Sequence, residues 1–306
     1  MSDLWLGFDT ESDVTQWSGE PGLPISAAVL DEALAAAERV VAILARRGVR
    51  ATFFLVGRLL EVAGSEYRAL LAGHDVQCHT YSHHILHAGH PGLYPGHPVY
   101  DLPPEAERSV RRAQELIEEW FGYRPEGLCA PGGSLTGLRG QPDILRILWD
   151  HGIRFVKSDN LGSPRSPMLP SRIAPYSYAE EGFPELWELP GVGWHCTLTL
   201  PHGPVGEWPA REVVPGGPLV DHPPTTPAEH VAWVRQELDF VCAQGYQFSP
   251  SWHPWSLYRF DPQMEVVDFL LEYAEQEGMA VRTYREVWEG LTNPSSPVPA
   301  APQAIS

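Results

Sequence analysis

Two histidines, His79 and His83, stand four residues apart in His79-Thr80-Tyr81-Ser82-His83, directly after His74-Asp75-Val76-Gln77-Cys78. Imidazoles at this spacing can leave one turn in the same direction and bind one divalent ion. Far upstream, Leu4-Trp5-Leu6-Gly7-Phe8 runs into Asp9-Thr10-Glu11. Two carboxylates and two imidazoles, each pair closing a short strand-like run, suggest a metal site with an acid or base to spare. A histidine pair on its own is more simply a solvated loop; the carboxylates and the shared placement at strand ends favour the site.

The elements that must hold these groups follow a strand-helix rhythm. Asp31–Arg47 has apolar residues Leu34, Ala37, Val40, Val41 and Leu44 at helical spacing and a stop at Gly48. Ala51–Val56 is a short run without polar alternation, as a buried parallel strand requires. Helices are expected at Leu59–Leu71, Pro104–Phe121, Pro142–Asp150, Thr226–Cys242 and Pro262–Gln276. Strands are expected at Asp75–His79, Glu126–Ala130, Ile153–Lys157, Leu186–Leu189, Trp194–Leu198, Tyr246–Trp252 and Met279–Arg282. Between Asn160 and Pro224 the chain is rich in Pro and Gly and reads as long loops with short strands.

Such alternation predicts a parallel α/β barrel, one domain over residues 1–292, with a disordered Pro/Ala-rich tail at 293–306. Chemistry in parallel barrels gathers at the C-terminal strand ends. Asp9, His79, Ala130-Pro131-Gly132, Asp159 and His253 all fall there.

Composition narrows the partners. The 306-residue chain carries 21 basic and 39 acidic residues, a formal charge of −18. That balance disfavours nucleic acid and anionic lipid. Four cysteines (Cys78, Cys129, Cys196, Cys242) without a CxxC form neither a disulfide framework nor a zinc knuckle. No signal peptide and no apolar span long enough for a membrane is read, so a cytoplasmic protein is expected. A homo-oligomer is compatible with the sequence.

Taken in order, these segments resemble the polysaccharide deacetylase family, the NodB-homology carbohydrate esterases, over about Leu4 to Leu291. Phe8-Asp9-Thr10-Glu11 resembles its first motif, Gly48–Phe54 its second strand, and His79–His83 its metal motif. Cys129-Ala130-Pro131-Gly132-Gly133 resembles its Arg-x-Pro-x-Gly motif, and Ser251-Trp252-His253-Pro254 its last. The resemblance implies that the barrel is a distorted (β/α) barrel of about seven parallel strands, and that the protein is a hydrolase that removes an acyl group, commonly acetyl, from a sugar or small-molecule amide with a divalent ion, commonly zinc.

It implies roles as well. His79 and His83 would be metal ligands, with Glu11 the third and Asp9 the base. Asp9 as ligand with no dedicated base is the competing assignment, and Glu11 as an N-cap or loop salt bridge is the plain one. His253 would protonate the leaving nitrogen, Gly132 would offer its N–H to the oxyanion, and Asp159 would orient His253. Cys129 stands where the family has an Arg paired with the catalytic Asp, so another group must replace that cation or the chemistry has shifted. Cys129 as a nucleophile is less favoured than Cys129 as packing. His84, His87, His90 and His97 read as loop residues. Trp17, Trp194, Trp208, Trp252 and Trp255 suit either an aromatic-walled pocket or the core. Two other functions stay open: a ring-opening amidohydrolase of the allantoinase or cyclic-imide type, and a silent, metal-retaining binding protein.

Overall fold

A computed structural model of the chain describes residues 2–12, 25–83, 85–86, 103–162, 168–201 and 210–293. Trp17, Trp208, His84, His87, His90, His97 and the tail from 294 onward lie outside the described residues.

The first apolar run divides. Asp3–Trp5 (β1) pairs in parallel with Ala280–Arg282, and Gly7–Thr10 (β2) pairs with Thr52–Leu55 (β3). Ala27–Arg47 (α1) connects β2 to β3. Its Ser26 side chain accepts from the Val29 N–H, Gly48 ends it in the left-handed region, and Arg46 and Arg47 face its negative end. Gly57–Leu70 (α2) leads to Asp75–Cys78 (β4), and Pro103–Phe121 (α3) to Gly127–Ser134 (β5). Pro142–Asp150 (α4), with Pro at its start, precedes Phe155–Asp159 (β6). Tyr176–Tyr178 (β7) and Phe183–Glu188 (β8) follow.

The main sheet has the order β2-β3-β4-β5-β6-β8-β7. Its first six strands are parallel and β7 is an antiparallel edge. Residues 248–252 join the two sides of this curved sheet. Ser249 N–H donates to Val192 O, while Trp5 and Asp9 N–H donate to Phe248 O and Trp252 O. The result is the distorted, barrel-like α/β fold expected, with six parallel strands and one antiparallel edge where about seven parallel strands were expected.

The remaining elements are Cys196–Thr199 (α5), the hairpin of Arg211–Glu212 (β9) and Leu219–Val220 (β10), Pro227–Gln244 (α6), Pro254–Phe260 (α7), Glu265–Gln276 (α8), Ala280–Arg282 (β11) and Tyr284–Thr292 (α9). Among the described residues no helix is long and apolar enough to cross a membrane.

Two expected strands are corrected. Trp194–Leu198 turns into α5, because Leu198 N–H and Leu200 N–H bond back to His195 O and Cys196 O. Tyr246–Trp252 makes isolated bridges at Phe248 and Trp252 instead of a ladder, since Pro250 has no N–H to give.

Helices and the outer sheet face share one apolar core, with Phe8, Phe53, Leu55 and Val76 against Val40, Leu44 and Ile117. A second cluster joins Trp5, Phe54, Cys129, Phe155, Tyr284 and Val287. There α9 closes against the sheet. A Cβ at Gly7 would lie 2.7 Å from the Tyr284 ring, so a side chain larger than hydrogen does not fit.

Candidate active site

Register assembles the site. Thr10, Leu55 and Cys78 are successive partners across β2, β3 and β4, so Glu11 and His79 begin just beyond aligned strand ends. Past His79 the chain turns through two non-glycine residues in the left-handed region, Thr80 (φ 57°) and His83 (φ 58°). Such conformations cost about 1–3 kcal/mol each and persist only where the surroundings impose them. Here Gly57 N–H and Arg58 N–H donate to Thr80 O and Tyr81 O, and Tyr81 N–H donates to Ser109 Oγ.

Glu11, His79 and His83 converge while buried. Glu11 Oε2 lies 3.4 Å from His79 Nε2 and 2.5 Å from His83 Nε2. One potential ligand atom from each residue falls within 4.8 Å of the others. Two of the three side chains are aimed by a second contact. His79 Nδ1 is 2.8 Å from Cys129 O. A carbonyl only accepts, so Nδ1 bears the hydrogen and Nε2 offers its lone pair. Glu11 Oε1 accepts from Trp255 Nε1 at 3.2 Å, which leaves Oε2 for the cluster.

Glu11 Oε2 and His79 Nε2 are buried atoms that make no hydrogen bond. With a carboxylate and two imidazoles as donors, this arrangement fits a divalent ion of the zinc type. Burial opposes ionisation of Glu11, but His83, His253 and His79 hold its carboxyl well below the usual range. His79 is shifted up: burial disfavours its cation, and the Glu11 and Asp9 carboxylates outweigh it.

Asp9 lies beside this trio, paired with a buried lysine. Lys157 Nζ is 3.3 and 3.5 Å from its two carboxylate oxygens and 3.4 Å from Pro250 O. Burial works against the Asp9 anion, yet Lys157, with His79 and His253, brings its pKa down to about 2. Cys129 on β5 and Lys157 on β6 are register partners. The cation absent from position 129 therefore arrives from the neighbouring strand. The Cys129 thiol itself is pushed well up, by burial and then by Asp9. It is a thiol packed in the second core cluster, unlike the depressed, accessible thiolates that act as nucleophiles.

His253 completes the group. Its Nε2 is 3.9 Å from Asp9 Oδ2 and 3.7 Å from Glu11 Oε1. Its Nδ1 is 3.2 Å from Cys196 Sγ, and the His195 ring lies alongside with centroids 4.7 Å apart. Burial lowers the His253 pKa, against the pull of Glu11 and Asp9. Burial likewise drives His195 well down.

Gly132 sits where β5 shifts register against β6 between Cys129 and Ser134, with φ 75° that suits glycine. Asp159 is not brought to His253. Its oxygens accept from Ser171 N–H (2.9 Å), Ser171 Oγ and the Tyr176 hydroxyl, so it ties the β6 end to a loop. Trp194, Trp252 and Trp255 are buried. Trp255 serves the site by its bond to Glu11, and the Trp194 indole donates to Val213 O.

Sequence reasoning missed Lys157, His195 and Cys196. Lys157 had a weak signal, an ammonium directly after Phe155-Val156 in a short strand, which demands a partner once that strand is buried. His195 and Cys196 had none, since only tertiary folding brings them beside His253.

The sequence model of the family described as polysaccharide deacetylase matches residues 29–156. That stretch holds His79, His83 and Cys129, whereas Asp9, Glu11 and His253 lie outside it. No curated protein sequence matches the chain. Among solved structures, a Mycobacterium smegmatis protein assigned as a polysaccharide deacetylase superposes with a TM-score of 0.67 at 20% identity, covering 100% of this chain and 95% of that one. A Pseudomonas aeruginosa PAO1 protein assigned in the same way gives 0.62 at 15% identity, over 95% and 92%. PuuE allantoinase gives 0.61 at 14% identity, over 96% and 92%. At these identities the superpositions establish the shared fold.

Proposed function

Residues 29–156 belong to the polysaccharide deacetylase family, a family of hydrolases, and from that premise we propose that this chain is a metal-dependent deacylase acting on an N-acyl, chiefly N-acetyl, saccharide or small molecule. The observation that carries the reading is the convergence of Glu11, His79 and His83 on one point, with Asp9 and His253 beside it.

Hydrolysis of an amide needs a nucleophilic water, a partner for the oxyanion and a proton for the leaving nitrogen. A divalent ion held by Glu11, His79 and His83 would supply a Lewis acid for the acyl carbonyl and acidify water, which suits a base of low proton affinity. Asp9 is that base. Lys157 keeps it ionised and fixed, ready to take a proton as water adds to the carbonyl. Its proton affinity is too low for it to act on ordinary water with much driving force. His253, with Nε2 turned toward both carboxylates, delivers a proton to the departing nitrogen. General acid help of this kind is worth about 10²–10⁴-fold. The Gly132 N–H, on the bulge at the β5 end, is assigned to the oxyanion.

Metal content by plasma mass spectrometry, on wild type and on His79→Ala/His83→Ala, is the first test. About one divalent ion per chain is expected in wild type and none in the variant. Zinc is the ion we assign. Acetate release from N-acetylated sugars and amines should then depend on that ion and fall about 100-fold or more in His253→Ala with the ion still bound. A wild-type protein that takes up no ion would overturn the mechanism. Faster turnover of cyclic ureides or imides than of N-acetyl compounds would replace it with ring-opening chemistry.

A further inference from the structure

We propose that Cys196 is a positioning residue whose thiol hydrogen bonds to His253 Nδ1 and so fixes the ring proton on Nε2, facing the site.

Three contacts clip the two segments together. Cys196 N–H donates to Ser251 O, His253 N–H donates to Cys196 Sγ at 3.2 Å, and the same sulfur lies 3.2 Å from His253 Nδ1. Ser256 also bonds the sulfur through its side chain. Sγ thus already accepts hydrogens, and its own single hydrogen needs an acceptor. A neutral Nδ1 with a lone pair is that acceptor. The far side of the ring agrees. Nε2 faces Asp9 Oδ2 and Glu11 Oε1 at 3.9 and 3.7 Å, where a hydrogen is favoured and a lone pair is not. Burial pushes the thiol pKa up to about 12, so Cys196 keeps its hydrogen at neutral pH.

The consequence is chemical. A carboxylate behind Nδ1, the part first assigned to Asp159, would draw the proton to Nδ1 and leave a lone pair on Nε2. A thiol donor reverses this, and Nε2–H becomes the bond directed at the reacting atoms. The tautomer follows from the contacts alone; its use in proton delivery rests on the deacylase reading.

The test is nitrogen NMR of zinc-loaded, 15N-histidine-labelled protein at mildly alkaline pH. The chain has 13 histidines, so His253 is assigned by the signals lost in His253→Gln. Wild type should show a pyridine-type Nδ1 and a pyrrole-type Nε2. In Cys196→Ala the two nitrogens should move toward averaged shifts, as the tautomers mix. In Cys196→Ser, where a stronger donor replaces the thiol, the Nε2–H form should persist with Nδ1 shifted further upfield. Acetate release from N-acetylated amino sugars, whose leaving nitrogen needs a proton, should fall about tenfold in kcat for Cys196→Ala, with KM little changed, and recover in Cys196→Ser. A wild-type ring protonated on Nδ1 would overturn the proposal, as would a Cys196→Ala spectrum identical to wild type. If Cys196→Ala does not fold, an Nδ1 shift unmoved in Cys196→Ser overturns it. A protein that cleaves no acyl substrate would sink the deacylase reading and leave the tautomer measurable.

Discussion

Lys157 is the residue whose removal tells most about Asp9. Substitution by Met keeps much of its volume and strips the cation from a buried carboxylate. Burial opposes the Asp9 anion, and Lys157 is the strongest influence that offsets it. The sign follows from linkage. With its native pKa at about 2 and an ordinary value of 3.8, Asp9 adds stability that is fully present above about pH 4 and lost as pH falls toward 2. Lys157→Met forfeits that contribution and should cost about 3 kcal/mol or more in urea unfolding at neutral pH, as expected when one member of a buried pair is deleted. Deacylase activity at neutral pH should fall with it, because part of Asp9 is then protonated. Adding Cys129→Arg, on the register partner, should restore part of both losses. An unchanged unfolding midpoint in Lys157→Met would show that Asp9 does not depend on this cation.

Whole elements were legible where one local signal decided them. The apolar run 51–56, the capped amphipathic α1 and the Pro-started α4 all fell close to where the pattern put them. The histidine pair, Asp9, Glu11 and His253, which the fold brings together, stood out in the sequence because each lies at the end of a short apolar run. What was not legible depends on pairing between distant segments. Trp194, Cys196 and Leu198 alternate like a strand, yet the segment coils into α5 because His195 and Cys196 are drawn toward His253. Lys157 on β6 meets Asp9 on β2, a contact between distant strands that no single strand encodes. The segment holding His195 and Cys196 is anchored by α6, where Glu237 Oε2 accepts from Trp194 N–H at 2.8 Å. Burial raises the Glu237 pKa to about 8 from an ordinary 4.5, with the Trp194 bond only partly opposing. The native state therefore keeps a proton that the unfolded chain releases, and stability declines as pH climbs from about 4.5 to about 8. Glu237→Gln removes that decline. Its stability relative to wild type should rise across this window by about 1 kcal/mol or more, read from urea midpoints at its two ends. A difference that stays flat with pH would mean that Glu237 ionises freely in the fold.

At the scale of the molecule, the formal charge of −18 sets a field around a reaction that changes the charge of its substrate. The proposed reactant is a neutral amide, and the nitrogen it releases becomes an ammonium at neutral pH. A surface this acidic does little to the approach of the amide and attracts the amine. Product retention should therefore be an electrostatic effect. Screening shortens from about 30 Å at 0.01 M salt to about 3 Å at 1 M, so the long-range part fades over that range while contacts inside the buried site survive. Inhibition of acetate release by the free amine product should weaken several-fold between these limits, while KM for the N-acetyl compound shifts little. Inhibition constants that ignore ionic strength would deny the surface a part in product retention.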